Sequence, residues 1–135
     1  MGAISITLAN ALLNHVFRNV PYTSPTGIYL ALYTSDPADT DTGNEVSGGG
    51  YERKLVTFTS PSNKLIYNAN DIEFPIATED WGVITHGAFR TAKTGGVLLK
   101  SGSLEELTGG EVTSKTILKG DQLIIKAGNI AIGFD

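Results

Sequence analysis

The first apolar pattern in the chain has the spacing of an α-helix. Five apolar residues fall at intervals of one, three or four and widen a single stripe: Leu8, Leu12, Leu13, Val16 and Phe17. Ser5 or Thr7 is a suitable N-cap, and Pro21 and Pro25 cannot continue a helix because proline has no backbone N–H. We therefore expect the helix to end between residues 18 and 20. A helix of roughly 12 residues is marginal alone, so its apolar face should pack on the sheet of this chain or on a neighbouring subunit.

From residue 27 onwards the apolar spacing changes to the two-residue period of β-strands. Residues 28–33 alternate in this way, and Thr94-Gly95-Gly96 predicts a hairpin between residues 83–89 and 97–100. The remaining strand candidates are residues 51–58, 64–67, 71–74, 112–118, 122–127 and 129–134. Eight or nine short strands separated by turn signals are typical of a sandwich or barrel.

We therefore predict a mainly β fold, a jelly-roll-like β-sandwich or small barrel with one N-terminal α-helix. Residues 1–25 would form a helical arm and residues 26–135 a single β-sandwich domain.

A long loop, residues 34–50, separates the first two strands, and loops of this length are either functional or mobile. Its acidic residues are Asp36, Asp39, Asp41 and Glu45. They resemble a calcium loop only faintly, because Glu45 follows Gly43 too closely and no helix pattern comes after it. A solvated acidic loop is the default interpretation, and cation binding stays open. Gly48, Gly49 and Gly50 lead into a strand without the lysine of a phosphate-binding loop.

Composition narrows the function classes. The chain has no Cys, which excludes disulfides, thiolate metal sites and a cysteine nucleophile. A net charge of −4 without a basic run argues against nucleic-acid binding. We expect no export signal and no membrane-spanning segment. His15 and His86 lie in separate segments and make no metal-ligand set. We therefore expect no enzyme and no cofactor.

The single tryptophan, Trp81, has two interpretations. It is either an apolar plug at the end of the sheet or an exposed anchor for a partner. The same alternatives hold for the tyrosines Tyr22, Tyr29, Tyr33, Tyr51 and Tyr67.

Six blocks of sequence, taken in order, resemble a family of small proteins encoded among the structural genes of tailed bacteriophages, often labelled phage tail fibre-like. The blocks are residues 8–17 (LANALLNHVF), 28–37 (IYLALYTSDP), 45–53 (EVSGGGYER), 72–86 (IEFPIATEDWGVITH), 94–99 (TGGVLL) and 119–121 (KGD). In size and β pattern the chain is also similar to small jelly-roll decoration (cement) proteins of phage capsids. The resemblance implies a virion structural protein that is made in the host cytoplasm.

The resemblance leads us to expect a capsid decoration protein, one that binds the outer capsid surface and bridges major capsid subunits. The alternatives are a tail-tip, tail-fibre or baseplate component that binds a host receptor, and a head–tail connector. Expected partners are the major capsid protein or other virion proteins and further copies of this chain, as a dimer or trimer, with neither nucleic acid nor membrane. The expected partner-binding residues are Leu8, Leu12, Val16, Phe17, Tyr22, Gly48, Gly49, Gly50, Tyr51 and Trp81.

Overall fold

The computed structural model describes residues 2–134, which form eleven short strands and two helices. In chain order these are β1 (Ala3–Ile4), α1 (Ile6–Phe17), β2 (Ile28–Tyr33), β3 (Lys54–Val56), β4 (Leu65–Tyr67), β5 (Ile72–Glu73), β6 (Gly82–Ile84), β7 (His86–Arg90), β8 (Leu98–Ser103), α2 (Leu104–Thr108), β9 (Lys115–Ile117), β10 (Ile124–Ile125) and β11 (Ala131–Gly133). The prediction of a mainly β fold with one N-terminal helix is confirmed.

The largest element is a five-stranded antiparallel sheet with the strand order β1-β8-β7-β2-β3. Strand β2 lies inside this sheet and buries both of its faces. Leu30 and Leu32 enter the main core, whereas Ala31 and Tyr33 pack with Ala88 and Leu98 on the other face. A central strand made of aliphatic and aromatic residues fits this position, and the one buried polar group among Leu30–Tyr33, the Tyr33 hydroxyl, accepts a hydrogen bond from Arg90 at 3.1 Å.

The remaining strands pair as three two-stranded ribbons, β5 with β10, β4 with β11 and β6 with β9. Their inward residues join the main core, which includes Phe74, Ile84, Ile125 and Ile130. Within residues 2–134 the ribbons do not join into a second continuous sheet. The jelly-roll sandwich, and the division into an arm and a single domain, therefore stay predictions.

The predicted hairpin between β7 and β8 is confirmed, but the strand predicted for residues 83–89 is divided into two strands. Strands β7 and β8 pair from His86↔Ser103 to Arg90↔Leu98 around the glycine turn. Residues 83–89 were expected to form one strand, and this is wrong. They form β6 and β7 in different sheets, because the chain breaks at Thr85, whose N–H donates to the Tyr33 carbonyl.

A second helix, α2, was not predicted. Its five residues are too few to show a helical period, but both ends are capped. Ser103 and Glu106 form a capping box, and Gly109 ends the helix with a φ of 62°. Behind it the buried Thr108 hydroxyl donates to the Leu104 carbonyl, at 2.7 Å, and accepts from the Val112 N–H, at 2.9 Å.

This hydroxyl gives a stability test of the fold. Thr108→Val keeps the side-chain shape but leaves the buried Val112 N–H without its acceptor, so the free energy of unfolding should fall by about 1–3 kcal/mol. The same change at the exposed Thr113 should alter it by less than about 0.5 kcal/mol. Urea denaturation measures both variants, and equal effects at the two positions would contradict the assignment.

Candidate assembly interface

Helix α1 is held at both ends by specific contacts. The Ser5 hydroxyl accepts from the Leu8 N–H at 3.0 Å, and the Ser5 N–H donates to the Leu99 carbonyl of β8. The Ile6 N–H donates to the Asp39 carbonyl in the long loop. At the other end Asn19 adopts a left-handed conformation, with a φ of 59°, which asparagine tolerates better than most residues. The helix therefore has a fixed start, and it ends at Phe17 with Arg18 as its C-cap, one residue before the expected range of 18–20.

The inner face of α1 borders an apolar cleft. Leu8 packs against the main core, and Leu12 is half-buried beside it. Both line a cleft of about 390 Å³ together with Phe89 and Leu99 of the sheet and Ile132 of β11. None of the helix's twelve residues, all within the described part of the chain, is fully buried. The helix therefore rests on the body rather than in it.

The outer face of α1 is also apolar. Four side chains on it, here called the outer stripe, are Ile6 (49% exposed), Leu13 (56%), Val16 (65%) and Phe17 (79%). At about 100° per residue, Ile6, Leu13 and Phe17 lie within about 40° of one another, and Val16 lies about 60° from Leu13, between it and Leu12. The five apolar positions of the sequence lie within one arc of about 180°, as a single wide stripe requires. The body covers only the Leu8 and Leu12 part of this arc and leaves Leu13, Val16 and Phe17 exposed.

The outer stripe carries no charged neighbours within its helix. No Asp, Glu, Lys or Arg occurs before Arg18. A surface helix normally presents charged residues to water on the face opposite its core contacts. Here that side carries Ile6, Leu13 and Phe17 with the uncharged Asn10 beside them, and uncharged, mainly apolar exposed surface is typical of a protein contact.

Tyr22 follows the helix and lies near its last turn. Its ring centroid is 6.4 Å from that of His15, whose Nδ1 lies 3.1 Å from the Val20 carbonyl. Tyr22 is half-buried and lines a shallow groove with Thr7 and Ala11. Of the expected partner-binding residues of α1, Tyr22 therefore shares its groove with Leu8.

The other expected contact residues surround Trp81. Trp81 is 6% exposed, its indole N–H donates to the Gly49 carbonyl at 2.8 Å, and the Tyr51 ring meets it edge-on at 5.5 Å. A Cβ at Gly49 would lie 2.9 Å from the indole. Gly48 is exposed, and Gly50 has a φ of 81°. Trp81 is thus part of the main core, with Tyr51 packed against it, which agrees with the apolar-plug interpretation of Trp81. A role in partner binding stays a prediction.

Two arginines tie the long loop to the sheet. Arg90 forms a bidentate pair with Asp41, at 2.7 and 3.0 Å, and Arg53 forms one with Glu45, at 2.8 Å for both bonds. Both arginines also donate to the Gly95 carbonyl. Two of the acidic residues considered for a calcium loop therefore bind guanidinium groups. The described residues contain no group of three or more potential metal ligands.

These pairs shift the ionisation of the loop. Burial alone would raise the pKa of Glu45, but the hydrogen bonds from Arg53 and Tyr51 outweigh it and lower that pKa. The hydrogen bond from Arg90 lowers the pKa of Asp41. Burial, followed by the Glu45 carboxylate, raises the pKa of the Tyr51 hydroxyl. The loop is thus held by charge pairs that depend on ionised carboxylates.

Sequence reasoning missed Ile6 and the two arginine pairs. Ile6 is seven residues before Leu13, a spacing that places both on one helix face. The arginine pairs join residues 8 and 49 positions apart, and nothing in the local sequence connects them.

The comparisons with known proteins agree with a structural role in a virion. The chain is a phage fibre structural protein by family: residues 3–133 match the family model described as Podophage GP4 fiber I protein gp80, and the chain belongs to that family. No curated protein matches the chain. The resemblance to phage tail fibre-like proteins is confirmed, and the family implies a place in the virion. Neither helix in residues 2–134 has the length and apolar character needed to span a bilayer.

The charge pairs predict how stability depends on pH. Because the pKa values of Asp41 and Glu45 lie below their ordinary values of 3.8 and 4.5 in the fold, their contribution is complete above those values. It is lost as the pH falls through the folded-state pKa values. The free energy of unfolding should therefore decrease as the pH is lowered below about 4.5.

Glu45→Gln removes one of the two carboxylates and tests how much it contributes to the free energy of unfolding. At neutral pH it should lower the free energy of unfolding by about 1–3 kcal/mol, because the nearly buried Arg53 loses its charged acceptor. It should also make the free energy of unfolding depend less steeply on pH below pH 4.5. Denaturation at several pH values measures both effects, with Glu111→Gln at an exposed turn as the control. An acid dependence as steep as that of the unaltered chain would contradict the assignment.

Proposed function

We propose that this chain is a non-enzymatic structural subunit of a phage tail fibre, held in the virion by protein–protein contact through the outer stripe of α1. The observation that carries the proposal is the exposure of four uncharged apolar side chains on one face of a helix that the fold holds rigidly. Exposed apolar surface of this kind is typical of interaction sites.

The contact would stabilise the assembled particle and not the free chain. Burying apolar surface contributes roughly 25 cal/mol per Å², and this contribution is available only when a neighbour covers the stripe. Assembly is therefore favoured by mass action. Where many copies are arranged by symmetry, a modest contact is multiplied by avidity.

The family description favours the fibre over capsid decoration, the function expected first from the sequence. The two functions differ in stoichiometry. A decoration protein that bridges major capsid subunits would be present in on the order of a hundred or more copies, whereas a fibre subunit is limited to a small multiple of the tail's rotational symmetry. Quantitative mass spectrometry of purified virions gives this ratio. A copy number comparable to that of the major capsid protein would overturn the fibre assignment.

A charge placed in the stripe tests the contact itself. Val16→Glu, supplied in trans to a phage lacking the native gene, should lower the amount of this protein per virion by at least about tenfold, because an unpaired carboxylate is costly to bury. Val83→Glu makes the same change at an exposed strand position (49% exposed) and should be incorporated normally.

Equal incorporation of the two variants would contradict a contact through the stripe. The tail alternative also included host receptor binding by this chain, which is tested by competition for phage adsorption. Purified protein that competes with phage for adsorption would support it.

A further inference from the structure

We infer that the outer stripe of α1 packs against the outer stripe of a second copy of this chain, joining two copies helix to helix. This inference rests on the proposed function, since it names the partner of the same surface. Four observations carry it: the spacing of the stripe, its lack of charge, its rigid support and its area.

The spacing is that of a helix–helix seam. Three stripe residues, Ile6, Leu13 and Val16, together with the half-buried Ala9 are separated by three, four and three residues, the alternation of the a and d positions of a heptad repeat. Phe17 lies beside this seam, at the position after Val16. Strands and loops of a partner do not require such a period, whereas a facing helix with the same seam fits it by interlocking side chains.

The absence of charge favours a second copy over other partners. Residues 6–17 contain no Asp, Glu, Lys or Arg, so two copies can approach without repulsion between like charges. A strongly charged partner would find no complementary group on this face. Helices that lie in a membrane interface typically carry Lys or Arg on their polar face, and this helix carries neither.

Because the fold already holds α1 in its helical form, two short helices can pair without first having to fold. Two heptads are too few for free peptides, because an isolated helix of this length is mostly unfolded. In this chain α1 is already formed, with its first turn bonded to Leu99 and Asp39 and its inner face on the body. Association therefore does not have to supply the free energy of helix formation.

The area is sufficient for a small specific interface. With about 200 Å² for each large side chain, the exposed fractions of the four stripe residues correspond to roughly 500 Å² per chain. Complete burial of all four side chains in both copies would cover at most about 1,000 Å², the lower limit for a specific interface. A two-fold axis would use the same surface on both copies and leave no stripe exposed.

The test is the mass of the purified chain in solution, with a matched pair of variants. Sedimentation equilibrium of the unaltered chain over a range of concentrations should show a dimer of the 14.3 kDa chain. Leu13→Glu should raise the dissociation constant by at least about tenfold. Leu55→Glu makes the same change at an equally exposed leucine of β3, 57% against 56%, and should leave the constant unchanged.

Folding is checked separately, so that the test stays informative. Circular dichroism and thermal melting should be alike for both variants, because both positions are exposed. If Leu13→Glu does not fold, Phe17→Ser at the most exposed position of the stripe replaces it. Since the chain has no Cys, Asn10→Cys beside the seam also allows a disulfide between copies to be sought by oxidation.

The outcomes separate this inference from the proposed function. A chain that remains monomeric at all concentrations, or a Leu13→Glu variant that dimerises as well as the unaltered chain, would overturn helix-to-helix pairing. If the chain is monomeric and Val16→Glu still fails to enter virions, another virion protein covers the stripe and the proposed function stands. If the chain dimerises through the stripe but Val16→Glu enters virions normally, the proposed function fails.

Discussion

Helix α1 is apolar over about half of its circumference, and the body of this chain covers only the inner part of that surface. The inner face, with Leu8 and Leu12, rests on the sheet beside the cleft. The outer face has no counterpart among residues 2–134, where its four side chains remain 49–79% exposed. Uncovered apolar surface on a rigid element favours association with any complementary surface. The proposed role in assembly follows from this constraint.

The ion pairs of the long loop help to position the outer stripe, because they fix the loop segment that binds the start of α1. Arg90 binds Asp41, and the neighbouring Asp39 carbonyl accepts from Ile6 at the start of α1. Ser101 of β8 also donates to the Ala38 carbonyl of the loop, at 2.8 Å. The loop that the sequence suggested was functional or mobile is therefore attached to the second face of the sheet. It fixes the first turn of the helix, and with it the direction in which the outer stripe points.

The sequence predicted those features that depend on neighbouring residues. The bounds of α1 follow from Ser5 and the prolines, and the β7–β8 hairpin follows from Gly95 and Gly96. Periodicity could not decide which part of α1 is buried, because its apolar residues cover an arc of about 180°, wider than the contact with the body. It also could not foresee the break at Thr85, which is set by the Tyr33 carbonyl of another strand. The same limit applies to Trp81, whose hydrogen bond to Gly49 joins residues 32 positions apart.

The central claim, that the outer stripe is covered in the assembled particle, can be measured by carbene footprinting, which labels exposed C–H bonds. Residues 6–17 should be labelled in a dilute sample of the free chain and protected in purified virions. The peptide that contains Val83 should serve as an internal reference for surface that the stripe contact does not cover. Protection confined to the helix would support the account. Equal labelling of the helix in the free chain and in the virion would contradict it.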